Sequence, residues 1–191
     1  MSQTVLPRRL RTALRLTLLC LGLVSLGSPA RATVMRYLEI EELARLSTNV
    51  FHGEILSTKV YWDESHTRIL TAVRVQITES LKGSARPRDI VTITQAGGEL
   101  DGLRQEYVGR PIFNVGESVV LFTKPGRQGD HLVIGLKQGK LRVVGAEAQR
   151  DFSGITLLDT STANAPRRLN ANGVQTRLSL SELRQRVAKA R

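Results

Sequence analysis

The chain is poor in cysteine and in aromatic residues, and both absences restrict what it can be. Its only cysteine among 191 residues is Cys20, in an apolar stretch near the N-terminus. A disulfide framework in the body of the chain is therefore excluded, as is a thiolate nucleophile or metal ligand there. Aromatic residues make up 4% of the sequence. This scarcity disfavours a single-stranded nucleic acid partner, because proteins that bind one stack its bases on aromatic side chains.

Motifs of the common catalytic and nucleotide-binding sites are also missing. The sequence contains no Gly-x-Ser-x-Gly elbow, no phosphate-binding loop and no dinucleotide fingerprint. Its three histidines, His52, His66 and His131, are not spaced as a metal-ligand pair, although a zinc site assembled from distant strands stays open as an alternative. We therefore expect no catalytic, cofactor or metal site, and a protein that is not an enzyme.

The first 32 residues have the three parts of a secretory signal peptide. Arginines precede an apolar run at residues 16–26, and Ala30-Arg31-Ala32 matches an Ala-x-Ala cleavage site. The apolar run is shorter than the roughly 20 residues that a transmembrane helix needs. We expect cleavage before Thr33 and a periplasmic or secreted mature chain without a transmembrane segment. A retained N-terminal anchor and a lipid anchor at Cys20 are the alternatives.

The basic charge of the chain is concentrated at its two ends. The whole chain has 28 basic and 17 acidic residues, for a net charge of +11. Residues 1–32 hold five arginines and no acid, which leaves 23 basic and 17 acidic residues in the mature chain. Residues 160–191 hold seven basic residues and one acidic residue. This C-terminal excess predicts either attraction to an anionic surface or a well-solvated terminus.

The middle of the chain has the pattern of successive β-strands. Strands are predicted at residues 50–62, 68–81, 89–95, 118–123, 131–136 and 140–144, with a short edge strand at 155–158. Alternation is strictest in the second strand, which predicts that Val73 and Val75 face the core. Gly53, inside the long first strand, predicts a bulge or bend there.

One helix is expected before these strands and one after them. The first is predicted at about residues 40–46, and the second begins with Ser179 as N-cap and Glu182 three residues later. Its apolar stripe favours docking on the body of the protein over docking on a membrane. Five or six short antiparallel strands favour a small closed barrel, since closure removes exposed edges. We expect a mainly β, OB-like barrel domain over residues 33–158, followed by a linker and basic helix over 159–191; a β-sandwich is the alternative.

Several segments resemble a known family of barrels. Residues 51–55, 69–75 with Leu81-Lys82-Gly83, and 113–122 are similar to parts of the OB-fold of netrin modules and tissue inhibitors of metalloproteinases. Gly97-Gly98 and residues 135–139 resemble a group of exported bacterial proteins of unassigned function. The resemblance covers about residues 40–145 and implies an OB-fold and a protein-binding role, with an exported protease as candidate partner. Those inhibitors place an N-terminal cysteine on the protease zinc, and the expected mature chain has none.

The long loop at residues 96–117 is the candidate binding surface. It carries five glycines and is too long for a plain connection. The candidate partner-binding residues are Trp62, Glu99, Asp101, Arg104, Tyr107 and Arg110, with Tyr107 as the aromatic anchor. The alternative is that Leu100, Leu103 and Tyr107 only fold the loop over a barrel mouth. We expect an exported, non-enzymatic, protein-binding module; a binder of anionic envelope polymer through the C-terminal segment is second, and an enzyme third.

Overall fold

A computed structural model describes residues 33–160, 166–170 and 173–190. The predicted signal segment, 1–32, lies outside the described residues. The protein is mainly β, with 50% of the described residues in strands and 15% in helices.

The strands and helices have the following bounds. The strands are β1 (Thr33–Arg36), β2 (Asn49–Trp62), β3 (Ile69–Lys82), β4 (Ile90–Ala96), β5 (Gly98–Leu100), β6 (Leu103–Gln105), β7 (Ser118–Pro125), β8 (His131–Val133), β9 (Lys140–Val144), β10 (Glu147–Arg150), β11 (Ile155–Asp159), β12 (Arg167–Leu169) and β13 (Arg177–Ser179). The helices are α1 (Ile40–Leu46) and α2 (Leu180–Lys189), and a 3₁₀ turn spans Leu136–Gly139.

Five strands close into a ring in the order β2, β3, β4, β8, β7 and back to β2. Neighbours in the ring are antiparallel except β4 and β8, which are parallel. Numbered along the chain, the five ring strands are β2, β3, β4, β7 and β8. The third of them, β4, lies beside the fifth, β8, and the fourth, β7, lies beside the first, β2. This order is that of an OB-like barrel. The fold class predicted from the sequence is confirmed, and the sandwich alternative is wrong.

The inside of the barrel is filled by the strand faces that the alternation predicts. Val73, Val75 and Ile77 of β3 are fully buried and belong to one apolar cluster with residues of β2, β4 and β7. The predicted bend in β2 is present, because the register between β2 and β3 shifts at Gly53. A Cβ at that position would lie 2.5 Å from the carbonyl oxygen of Gln76, so the two strands come too close there for any side chain.

A second apolar cluster joins both helices to the outside of the barrel. Leu43 of α1 and Leu183 and Val187 of α2 pack there with Phe122 of β7. The predicted N-cap is also present, since the backbone N–H of Glu182 donates to Ser179 Oγ at 3.1 Å. The helix at the C-terminus therefore docks on the barrel, as its apolar stripe predicts. Among the described residues, no helix has both the length and the apolar character needed to cross a membrane.

Several strands differ from the prediction. Sequence patterns missed β1, β5, β6, β10, β12 and β13. The strand predicted at 131–136 ends at Val133, because Gly135 adopts a left-handed conformation and leads into the 3₁₀ turn. The predicted edge strand is central instead, since β11 lies between β1 and β12. The expected linker contains β12, and its residues 161–165 and 171–172 lie outside the described part.

Candidate partner-binding surface

Three loops meet at one end of the barrel. They are residues 63–68 between β2 and β3, residues 97–117 between β4 and β7, and residues 126–130 between β7 and β8. The first and third touch through the Gln128 Nε2 donor and the Glu64 Oε1 acceptor, 3.4 Å apart. The second carries five of the six predicted binding residues, and Trp62 stands at the edge of the first.

The second loop contains a short β-hairpin with a two-residue turn, which the sequence patterns did not predict. Strands β5 and β6 pair so that Glu99 lies directly opposite Arg104. At the tip, Asp101 and Gly102 have φ angles of 53° and 74°, the left-handed pair that a type I′ turn requires. The Asp-Gly dipeptide between short alternating segments was the signal that could have predicted this hairpin.

The hairpin is fastened over the mouth of the barrel by hydrogen bonds. The backbone N–H of Ile69 donates to Gln105 Oε1 at 2.7 Å, and Thr71 Oγ1 donates to the carbonyl of Gly97 at 2.6 Å. Gly98 lies against the barrel wall, where a Cβ would approach the Val60 side chain to 2.6 Å. Both donors belong to buried residues, so these bonds hold the hairpin in one position.

Trp62 connects the first loop to the tip of the hairpin. Its Nε1 donates to Asp101 Oδ2 at 3.1 Å, and its ring stacks on His66 with the centroids 6.3 Å apart. The first loop is itself held by Asp63, whose carboxylate accepts the backbone N–H groups of Arg68 and Thr67. These hydrogen bonds stabilise the ionised carboxylate and keep the pKa of Asp63 well below its ordinary value. The backbone N–H of Arg68 makes the largest contribution.

Large apolar side chains stand in solvent on this hairpin and just after it. Leu103 is 57% exposed, Tyr107 44% and Val108 47%. Charged groups surround them, including the ion pair between Arg104 and Glu106 at 3.4 Å. Arg110 differs from the other charged residues, since it is half-buried and its guanidinium donates to Thr71 Oγ1 at 3.4 Å.

The structure therefore brings all six predicted residues to the same end of the barrel. Trp62 and Asp101 are joined by a hydrogen bond, and Glu99 and Arg104 are cross-strand neighbours. The side chains of Tyr107 and Arg110 both lie beside Gly97. The alternative holds that Leu100, Leu103 and Tyr107 only fold the loop over a barrel mouth. The loop does cover the mouth, but of these three residues only Leu100 is half-buried. Gln105 and the glycines make the cover, whereas Leu103 and Tyr107 remain exposed. No sequence pattern singled out Gln105, because its partner is 36 positions away.

The three histidines lie apart and each has its own partner. His52 Nε2 is 2.8 Å from Ser118 Oγ, and His131 Nδ1 is 3.2 Å from Thr123 Oγ1. Burial lowers the pKa of both imidazoles below the ordinary value. The part of the chain that the structure describes holds no group of three or more His, Cys, Asp or Glu residues placed to bind a metal ion.

Comparison with known proteins gives no relative from which a role could be transferred. No protein-family model matches the chain, and no curated protein matches it. The resemblance to the netrin and metalloproteinase-inhibitor barrels stays a prediction.

Proposed function

We propose that the protein is an exported, non-enzymatic module that captures another protein at the hairpin end of its barrel. The observation that carries this proposal is the exposure of Leu103, Tyr107 and Val108 on a fastened support. These side chains cover no core of their own. Exposed apolar groups within a charged rim are typical of protein-binding surfaces.

The rigid support favours tight binding. A loop already held by Gln105 and Gly97 loses little conformational freedom when a partner docks, so less binding free energy is spent on ordering it. Tyr107 offers a large, stiff side chain of the kind that dominates interface energetics. The mixed charges of Glu99 and Arg104 around it would select among partners more than they would add affinity.

The nature of the partner follows from two sequence features. The signal-peptide pattern of residues 1–32 supports an encounter outside the cytoplasm. The resemblance to metalloproteinase inhibitors makes an exported protease the candidate partner.

Binding of an anionic polymer by the C-terminal segment is less well supported. Arg184 already forms two bonds of 2.8 Å to the Glu79 carboxylate, and Arg186 bonds both oxygens of Glu41 at 2.6 Å. Hydrogen bonding to Arg186 lowers the pKa of Glu41, as expected for an engaged pair. Two cations of the segment are thus committed to holding α2 on the barrel, and fewer remain for a polymer.

Affinity capture with matched variants tests the proposal. The purified protein, its Leu103→Ser and Tyr107→Ala variants and the control Leu46→Ser would each be used as bait for the extracytoplasmic fraction of the producing cells. Leu46 is 50% exposed at the end of α1, so its loss removes a similar apolar area elsewhere. A protein retained by the wild type and the control, and lost with both hairpin variants, is expected. Equal retention by all four baits contradicts the proposal.

Two further measurements separate the alternatives. A polymer held by basic residues should be released at about 0.5 M salt, because screening weakens exposed charge pairs, whereas an apolar contact should persist. N-terminal sequencing of the protein recovered outside the cytoplasm should begin at or near Thr33. Recovery of the chain with its Met1 intact, in the cytoplasm only, contradicts export.

A further inference from the structure

The sheet continues past the barrel, and there its inner face changes from apolar to charged. Strand β9 pairs with β7 so that Arg142 lies opposite Val119 and Lys140 opposite Leu121. Val119 and Leu121 are fully buried in the barrel core. The same face on β9 therefore carries two cations, while the opposite face of β9 packs Leu141 beneath the helices.

This charged face forms the floor of a cleft. The segment at residues 111–117 passes over it and leaves a cavity of about 300 Å³, with Pro111, Ile112 and Asn114 on one side and Arg142 and Gln149 on the other. That volume lies at the lower end of the range for small-molecule sites. The cleft shares no residue with the exposed hairpin surface.

Two of the three cations in the cleft are neutralised by neighbouring carboxylates. Lys140 Nζ lies 2.7 Å from both carboxylate oxygens of Glu117, and Lys137 Nζ lies 3.1 Å from Asp151 Oδ2. Burial lowers the pKa of Lys140, and the Glu117 carboxylate opposes that shift. Both acids of the cleft are thus engaged, and their lysines are held in fixed positions.

Arg142 is the cation that remains. Within the described residues its guanidinium has neither an acidic partner nor a hydrogen bond, and it is exposed to the cleft. Gln149 lies directly across from it on β10, so the two side chains share a face with their Cβ atoms about 5 Å apart. The side-chain amide of Gln149 likewise has no partner in the described part of the chain. Both side chains line the cavity, so two sets of unpartnered N–H donors border it on the same strand face.

We propose that this cleft binds a small carboxylate that carries a short apolar group. The planar fork of Arg142 matches a carboxylate in a bidentate geometry, and the Gln149 amide supplies a further donor. The single excess positive charge fits one negative charge, not the two of a phosphate. Ile112, which is 67% exposed at the rim, would cover the apolar group of the ligand.

Titration with a matched pair of small molecules tests this site. N-acetyl-leucine carries a carboxylate and an apolar side chain, and N-acetyl-leucinamide is the same molecule without the charge. Addition of N-acetyl-leucine to the ¹⁵N-labelled protein should shift the amide signals of Ile112, Arg142 and Gln149 in a saturable manner at millimolar concentrations. The amide analogue should bind at least about tenfold more weakly, since it cannot form the charge-assisted pair.

Variants of the arginine complete the test. Arg142→Gln should weaken binding about tenfold or more, and Arg142→Lys should fall between it and the wild type, because a lysine keeps the charge and loses the fork. Arg74→Gln, at another exposed arginine on β3, should bind as the wild type does. Equal binding of the two small molecules, tighter binding of inorganic phosphate, absence of a saturable shift, or an unchanged affinity in Arg142→Gln would each overturn the proposal.

Discussion

Removal of the Gln105 side chain should loosen the hairpin and leave the barrel folded. Gln105 Oε1 is the acceptor for the backbone N–H of Ile69, which is fully buried, and Gln105 Nε2 donates to the carbonyl of Thr67 at 3.3 Å. In Gln105→Ala the Ile69 N–H has no acceptor. A buried donor left in that state costs about 1–3 kcal/mol, a fraction of the roughly 5–15 kcal/mol that stabilises a domain.

Denaturant unfolding and hydrogen exchange measure this effect. The free energy of unfolding should fall by about 1–3 kcal/mol in Gln105→Ala, and the Ile69 amide should exchange about 5- to 150-fold faster. Gln105→Glu keeps an acceptor for Ile69 and should lose about 1 kcal/mol or less. The exposed Gln76→Ala on β3 should change stability by at most about 0.5 kcal/mol. If Gln105→Ala leaves both the stability and the Ile69 exchange rate unchanged, the hairpin is not held as described.

Three further experiments test the barrel, the cleft and the first loop. Val73→Asp should unfold the domain in thermal melting, because a buried, unpaired carboxylate costs several kcal/mol in addition to the lost burial of valine. Arg74→Asp, at the exposed neighbouring position, should lower the Tm only slightly. Equal tolerance of both changes would show that the face assignment is wrong. Glu117→Gln should lower the free energy of unfolding in urea by about 2–3 kcal/mol, because it leaves Lys140 without its carboxylate partner. The double variant with Lys140→Met should lose less unfolding free energy than the sum of the two single variants. Additive losses in this double-mutant cycle would refute the coupling of the pair. Because the pKa of Asp63 is lowered in the folded protein, its carboxylate stabilises the fold fully above the unfolded-state pKa of about 4, and this contribution is lost as the pH falls below that value. The Tm of Asp63→Asn should therefore decline less steeply than that of the wild type between about pH 4 and 2. Parallel declines would contradict a stabilising role of the Asp63 carboxylate.

Local patterns predicted much of the fold, because each depends on residues close together in the chain. Alternation in β3 identified the face that fills the barrel, and Gly53 marked the bend in β2. The spacing of Ser179 and Glu182 identified the start of α2. Each of these signals states a requirement of backbone geometry that holds in any fold.

Some missed strands, such as β10, have a polar sequence and form because they pair with a neighbouring strand. Strand β10 has no apolar alternation, yet its Arg150 is buried, with the ring centroids of Tyr37 and Phe152 at 5.1 and 4.8 Å from its guanidinium carbon. Phe152 is a near neighbour in sequence, but Tyr37 and the Leu38 carbonyl, which both accept hydrogen bonds from the guanidinium, lie 113 and 112 positions away, so no local window of sequence could reveal the burial. Tertiary contacts decided the conformation there, as they do for many short strands.

The candidate surface also combines features that local sequence predicts with contacts between residues distant in the chain. That the loop would hold exposed charged and aromatic residues followed from its length and composition, and Asp101-Gly102 could have revealed its hairpin. The hydrogen bond between Gln105 and Ile69 and the contact between Trp62 and Asp101 join residues 36 and 39 positions apart, which only the fold brings together. Sequence patterns therefore predicted which loop to examine, and the fold determined which side chains it presents.

Site-specific photo-crosslinking in the producing cells tests the central proposal most directly. A benzophenone amino acid would replace Tyr107 in one variant and Leu46 in the other, which are similarly exposed positions on different faces. On irradiation, the variant at position 107 should form a discrete adduct with a second protein, and the variant at position 46 should not. Identical adducts from both positions, or an adduct at 46 and none at 107, would contradict a protein-binding surface at the hairpin end of the barrel.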